Sequence, residues 1–151
     1  MQHREIFHMR IPSAAEHIAI VRHALDAVGE ELRLSTDARA AIKLAVSEAC
    51  DNALRHAKHQ QCGARAPGES VVVVCRAKRN ALEIDIRNRG NGFHPVTPAE
   101  MPPAETLAEH GRGRALMEML MDSVQYLSQN GNTIVRMRKN HTVYVSNEKP
   151  S

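Results

Sequence analysis

At 151 residues, 42% of them hydrophobic, the chain has the length of one domain and enough apolar content for one sizeable core. With no Trp, two Tyr and two Phe, that core must be aliphatic, and base stacking has almost no residues to draw on. The net charge of +3 suits a nucleotide or an acidic protein partner and weighs against direct nucleic-acid binding. No apolar run approaches the roughly 18 residues of a membrane span, and no apolar stretch follows Met1 to Glu5 as a signal peptide would require. The three cysteines, Cys50, Cys62 and Cys75, form no CxxC, so a reducing cytoplasm is the expected compartment.

Glu5 to Ile11 reads as a first strand closed by Pro12. Ser13 with Glu16 three residues on forms a capping box. Ile18, Val21, Leu25 and Val28 then recur at helical spacing, and the helix is expected to stop near Gly29. Ser35-Thr36-Asp37 signals a second helix, running to about His59 with Ile42, Ala45, Val46, Ala49 and Ala53 as its apolar stripe. Gln60 to Ser70 reads as a loop. Val71 to Ala77 and Ala81 to Asn88 predict a hairpin around Lys78-Arg79-Asn80. In its second strand Leu82, Ile84 and Ile86 face one way, and Glu83, Asp85 and Arg87 the other. Arg89 to His110, proline-rich and irregular, is long for a simple connection and reads as a lid. Gly111-Arg112-Gly113 opens a short helix with Leu116, Met117, Leu120 and Met121 on one side. Ser123 to Ser128 and Asn132 to Lys139 form a last hairpin through Asn130-Gly131, and the tail from Asn140 is expected to fray. This order, without internal repeats or a second domain, predicts an α+β two-layer sandwich over residues 1–151 rather than a doubly wound parallel sheet.

Three constellations carry chemistry. Within Ser47-Glu-Ala-Cys-Asp-Asn-Ala-Leu-Arg-His56, Glu48 and Asn52 stand four apart and share a helix face with Ala45, Ala49 and Ala53. An acid and an amide on a small-residue face make a poor core but a good floor, offering a general base and an oxygen ligand for a hard cation. Taken alone, the pair also reads as a solvated polar face. Asn88 ends the apolar row of its strand and must find a partner there, while Gly90 and Gly92 let the backbone approach something closely. A strand end before a glycine turn would look the same. Gly111, Arg112 and Gly113 at a helix start favour an anion, or else a hinge. Neither glycine pair completes a dinucleotide fingerprint, and no Walker A sequence is present. His56, His59 and Cys62 lack a fourth zinc ligand nearby. Cys50 inside the helix reads as packing.

In order and spacing these segments resemble the GHKL ATPase superfamily, and within it the anti-sigma factor serine/threonine protein kinases. The resemblance covers Phe7 to Lys139. Ser47 to His56 is similar to the N box, Asn88-Arg-Gly90-Asn-Gly92-Phe93 to the first glycine box, Gly111 to Asp122 to the second, and Gly131-Asn-Thr133-Ile-Val135 to the closing strand. The resemblance implies a Bergerat-type ATP-binding fold with a mixed, mostly antiparallel sheet and helices on one face. It implies that Asn52 ligates Mg²⁺ on the ATP phosphates and that Glu48 is the base for the attacking hydroxyl. Gly111, Arg112 and Gly113 would hold phosphates, Thr133 would reach the adenine, and residues 89–112 would close as an ATP lid.

The departure is Asn88, where the family carries an Asp that accepts from the adenine amino group. An amide oxygen still accepts, but without charge, and a loss of about 1–2 kcal/mol would weaken binding roughly five- to thirtyfold. Asp85 points to the other strand face and is not expected to compensate. By resemblance the partners are a sigma factor, held by a homodimer, and an anti-sigma antagonist phosphorylated on serine. Arg22 on the first helix matches a partner-contacting Arg in similar proteins, and as a bare residue reads equally as a solvated charge. Two functions follow: an ATP-dependent protein kinase regulating transcription, or a catalytically weak module of the same fold that sequesters its partner.

Overall fold

The structure, a computed structural model, describes residues 3–12, 14–59, 70–89 and 113–141, with the side chains of 55–59 and 89 excepted. Strand β1 (Arg4–Pro12) leads through a 3₁₀ turn at Ala15–His17 into helix α1 (Ile18–Glu31). Then come α2 (Thr36–His59), β2 (Ser70–Lys78), β3 (Ala81–Arg89), α3 (113–120), β4 (Ser123–Gln129) and β5 (Asn132–Asn140). The sheet order is β1-β2-β3-β5-β4, and every pairing among the described residues is antiparallel. The α+β sandwich read from the sequence is the fold observed.

The elements end where local chemistry ends them, with two differences from expectation. Ser13 lies outside the described residues; the turn before α1 is capped by Ala14, whose side chain makes no cap hydrogen bond. Helix α1 runs two residues past Gly29 and closes in a Schellman motif: Leu34 N donates to Gly29 O (2.9 Å) and Arg33 N to Glu30 O (3.2 Å). Arg33 takes the left-handed φ of 53° that glycine usually supplies. Gly29 instead serves packing, since a Cβ there would meet Arg39 Cγ of α2 at 2.8 Å. Arg39 and Lys43 also pair with Asp26 at 3.5 and 3.0 Å, joining the two helices. Helix α2 starts as expected, with Ser35 Oγ accepting from Ala38 N at 3.1 Å. Asn130 and Gly131, with φ of 52° and 77°, make the primed turn of the β4–β5 hairpin.

The core lies between the helices and one sheet face. Val21, Leu25 and Val28 of α1 and Ile42, Ala45, Val46 and Ala49 of α2 meet Val73, Cys75, Leu82, Ile84 and Ile86 of β2 and β3. Met117 and Met121 fasten α3 and the turn after it to the same cluster. Burial pushes the Cys50 and Cys75 thiols up to about 12, so both are protonated, inert core residues at neutral pH. The opposite face carries Glu83 and Asp85, as alternation requires, yet Asp85 is 0% exposed. Three guanidinium groups enclose it: Arg136 reaches it through Nε at 2.8 Å and Nη2 at 3.0 Å, Arg76 at 3.0 Å and Arg87 at 3.3 Å. Burial alone would raise the Asp85 carboxyl, but the hydrogen bonds and charges of Arg136 and Arg76 outweigh it and hold the group below its ordinary 3.8.

A depressed folded-state value adds stability that is complete above the unfolded value and lost as pH falls through the folded one. Asp85→Asn is therefore expected to cost about 1–3 kcal/mol at pH 7, the range for breaking a buried pair discounted for the partly exposed arginines. Its deficit against wild type should shrink below pH 3.8 in urea titrations. A deficit independent of pH would show that the carboxylate charge contributes nothing.

Candidate functional site

Small side chains on α2 let it lie close to β3. Ala45, Ala49 and Ala53 are 0, 1 and 8% exposed, so they belong to the core rather than to the floor of a site. Glu48 and Asn52, on the same helix flank, are half-buried. The first described residue of α3 stands against them: a Cβ on Gly113 would lie 2.8 Å from Glu48 Oε2, 3.6 Å from Asn52 Nδ2 and 3.7 Å from Asn52 Oδ1. An acid and an amide separated by one helical turn thus converge on the backbone of α3 at Gly113. The space a methyl group would occupy is kept open between them.

That arrangement fits the groups the sequence implies. A carboxylate and an amide oxygen side by side are a donor set for a hard divalent cation. Arg114, the next residue of α3, stacks over the Tyr126 ring with its Cζ 4.3 Å from the centroid, tying this part of α3 to β4. At the other end of α3, Lys139 Nζ donates to Leu120 O at 2.8 Å. These two tethers set where Gly113 lies. They escaped the sequence reading because a stack and a cap between residues far apart leave no local pattern.

On the sheet side, Asn88 is 9% exposed and lies on the inner face, as alternation predicted. Its required partner is Ala53 of α2, whose carbonyl accepts from Asn88 Nδ2 at 3.0 Å. Thr133, paired with Asn88 across the β3–β5 ladder, donates through Oγ1 to Asn88 O at 3.4 Å. The structure therefore joins Asn88 to Thr133, and Glu48 and Asn52 to Gly113, with α2 common to both groups. Asp85 lies on the other face among its arginines and cannot substitute at Asn88. Arg22 is exposed on α1 and makes no ion pair among the described residues. Gly90, Gly92, Gly111, Arg112, Cys62 and the 89–112 lid (apart from the backbone of Arg89) lie outside the described residues, as do the side chains of His56 and His59.

Gly113→Ala tests the convergence. Alanine gains helix propensity of up to about 1 kcal/mol, so the melting temperature is expected to stay within a few degrees of wild type. The added methyl displaces the Glu48 carboxylate, and misplacement on that scale is expected to lower ATP-dependent turnover about ten- to a hundredfold. Unchanged turnover would remove Gly113 from the site.

The family model described as histidine kinase-like ATPase domain matches residues 11–139. Among curated relatives, the serine-protein kinase RsbW of Bacillus thuringiensis (strain Al Hakam) is 30% identical over 156 residues, spanning 99% of this chain and 91% of the relative. The RsbW of Bacillus mycoides (strain KBAB4) gives the same figures. Among solved structures, the SiaB–SiaC complex from Pseudomonas aeruginosa aligns with a TM-score of 0.62 at 15% identity, covering 90% of this chain and 89% of that one. The RsbU and RsbW domains of Rv1364c from Mycobacterium tuberculosis align at 0.61 and 18% identity, covering 89% of this chain and 31% of that one. The structural likenesses speak for the fold alone. The family match and the near full-length RsbW similarity place the chain: it belongs to the histidine kinase-like ATPase domain family.

Proposed function

We propose that the protein is an ATP-dependent serine/threonine protein kinase acting as an anti-sigma regulatory factor, phosphorylating an anti-sigma antagonist in a partner-switching pathway. The observation that carries this reading is the meeting of Glu48 Oε2 and the Asn52 amide at Gly113. A base and a cation ligand beside a glycine backbone open to close approach are parts phosphoryl transfer needs, since positioning and charge neutralisation do most of its work. The similarity to proteins named serine-protein kinase RsbW supports serine as acceptor.

In this reading the attacking serine hydroxyl of the antagonist gives its proton to Glu48 as its oxygen bonds to the γ-phosphorus of ATP. The bond from that phosphorus to the β–γ bridging oxygen breaks, and ADP leaves. Asn52 would hold Mg²⁺ through Oδ1; when bound, the ion neutralises phosphate charge. Gly111, Arg112 and Gly113 hold the phosphates, Asn88 and Thr133 flank the base, and residues 89–112 close over the nucleotide. Arg22, exposed on α1, offers its charge to a sigma factor, which a homodimer would hold in the cytoplasm.

Glu48→Ala is expected to lower transfer of labelled γ-phosphate from Mg·ATP to the cognate antagonist by about 10²–10⁴-fold, with Mg·ATP affinity changed only a few fold. No transfer by the wild type would sink the kinase reading. The second reading, a sequestering module without catalysis, is favoured by Asn88 in place of the family acid. It predicts partner binding indifferent to both ATP and Glu48→Ala.

A further inference from the structure

Arginines line the outer face of the sheet, and one of them is not used as the others are. Arg76, Arg87 and Arg136 all spend charge on Asp85. Arg138, two residues along the same face of β5, makes no ion pair among the described residues, and its Nε donates to Asn140 Oδ1 at 3.1 Å. Its cross-strand neighbour Glu83 is taken by Arg76, Lys78 and Arg136. The bond to Asn140 engages the amide oxygen and leaves Nδ2, a pure donor, at the other end of that amide. Asp122, the acid bonded to this end of β5, has Oδ2 committed to Asn140 N at 2.6 Å. His141 N donates to Asn80 O at 2.9 Å, which brings the end of β5 against the β2–β3 turn. Asn80, Arg138, Asn140 and His141 together line a cavity of about 390 Å³. Both ring nitrogens of His141 are shut off from solvent and have no hydrogen-bond partner among the described residues. Buried polar atoms are nearly always paired, so two on one ring call for a partner.

We propose that this corner of the sheet is a second binding site, which takes a phosphate group, free or in a small ester. The donors decide the sign of the ligand. Arg138 keeps its outer guanidinium nitrogens and its charge, Asn140 keeps its amide N–H groups, and none of the four lining side chains is a carboxylate. A metal ion would meet an uncompensated positive charge and an amide oxygen already engaged. An oxyanion meets charge-assisted donors, with a planar guanidinium matched to its geometry. His141 supplies a further N–H. No hydrogen bond holds its ring among the described residues, so turning it toward an anion breaks none of these and satisfies a buried nitrogen. The cavity has room beside a bare ion, its volume lying within the range of small-molecule sites, roughly 300–1,000 Å³. It stands at the Ala81 end of β3, and Asn88 at the other end is about 24 Å away along the strand. The proposal is therefore independent of the kinase reading.

Magnetic resonance of the full chain with isotope-labelled imidazoles tests this at neutral pH, His141 being assigned by the signal that His141→Gln removes. Titration with inorganic phosphate, and separately with glycerol phosphate, is expected to move the His141 signals to saturation. Tighter binding of the ester supports an esterified ligand, and tighter binding of the ion supports free phosphate. Arg138→Gln is expected to weaken binding about tenfold or more, as loss of a charged donor does, with the His141 signals still present. If the His141 signals stay still at tens of millimolar of either probe, the proposal is overturned and water is left as the partner of the ring. Signals that move alike in wild type and Arg138→Gln, or movement confined to other histidines, would overturn it as well. Should Arg138→Gln not fold, calorimetry of His141→Gln with the same probes decides: weaker binding than wild type supports the site, and unchanged binding rejects it.

Discussion

The approach of α2 to the inner face of the sheet is the constraint on which the rest of the molecule depends. Ala45, Ala49 and Ala53 put nothing larger than a methyl group between the helix backbone and the strands. At that separation the carbonyl of Ala53 comes within hydrogen-bond reach of the Asn88 side chain. The same placement leaves Glu48 and Asn52 at the margin of the core, half-buried, where polar groups can meet a ligand while their backbone is held rigidly. A larger residue at any of the three alanines would lift the helix and open both contacts together. Packing and site geometry are consequences of one choice of side-chain size.

The two faces of β3 divide the labour of the fold. The inner face gives Leu82, Ile84 and Ile86 to the core and ends in Asn88. The outer face buries Asp85 beneath Arg76, Arg87 and Arg136, drawing β2, β3 and β5 together through charge. A central antiparallel strand is thereby fastened to its neighbours by more than its ladder. Its end near Asn88 can then bear a polar residue that contributes little to hydrophobic stability. The two tethers of α3, Arg114 on Tyr126 and Lys139 on the Leu120 carbonyl, do the corresponding work for Gly113.

Much of this was legible along the chain because it is local. Period-two alternation put Asn88 on the same face as Ile86, a spacing of four put Glu48 beside Asn52, and Asn130-Gly131 announced its turn. Gly29 misled because a glycine at a helix end usually marks a C-cap. Here Arg33 takes the left-handed position, and Gly29 is spent on the crossing of α1 by Arg39. Ala45, Ala49 and Ala53 were counted both as core and as site floor, and the sequence pattern had no means of choosing. Burial assigns them to the core.

By itself the sequence determined the α+β order of elements, the inner and outer faces of the strands, the aliphatic core and the box-like segments that relate this chain to its family. Each of these follows from residues within a turn, a strand or a hairpin of one another. Tertiary structure alone decided that Gly113 lies against Glu48, that Asn88 bonds to a carbonyl 35 residues before it, and that Asp85 is sealed by arginines from three strands. Those contacts join distant segments, and one of them uses a backbone carbonyl, a group every residue has. No residue type at position 53 could have advertised it; the bond exists because packing brings that one carbonyl to the end of β3.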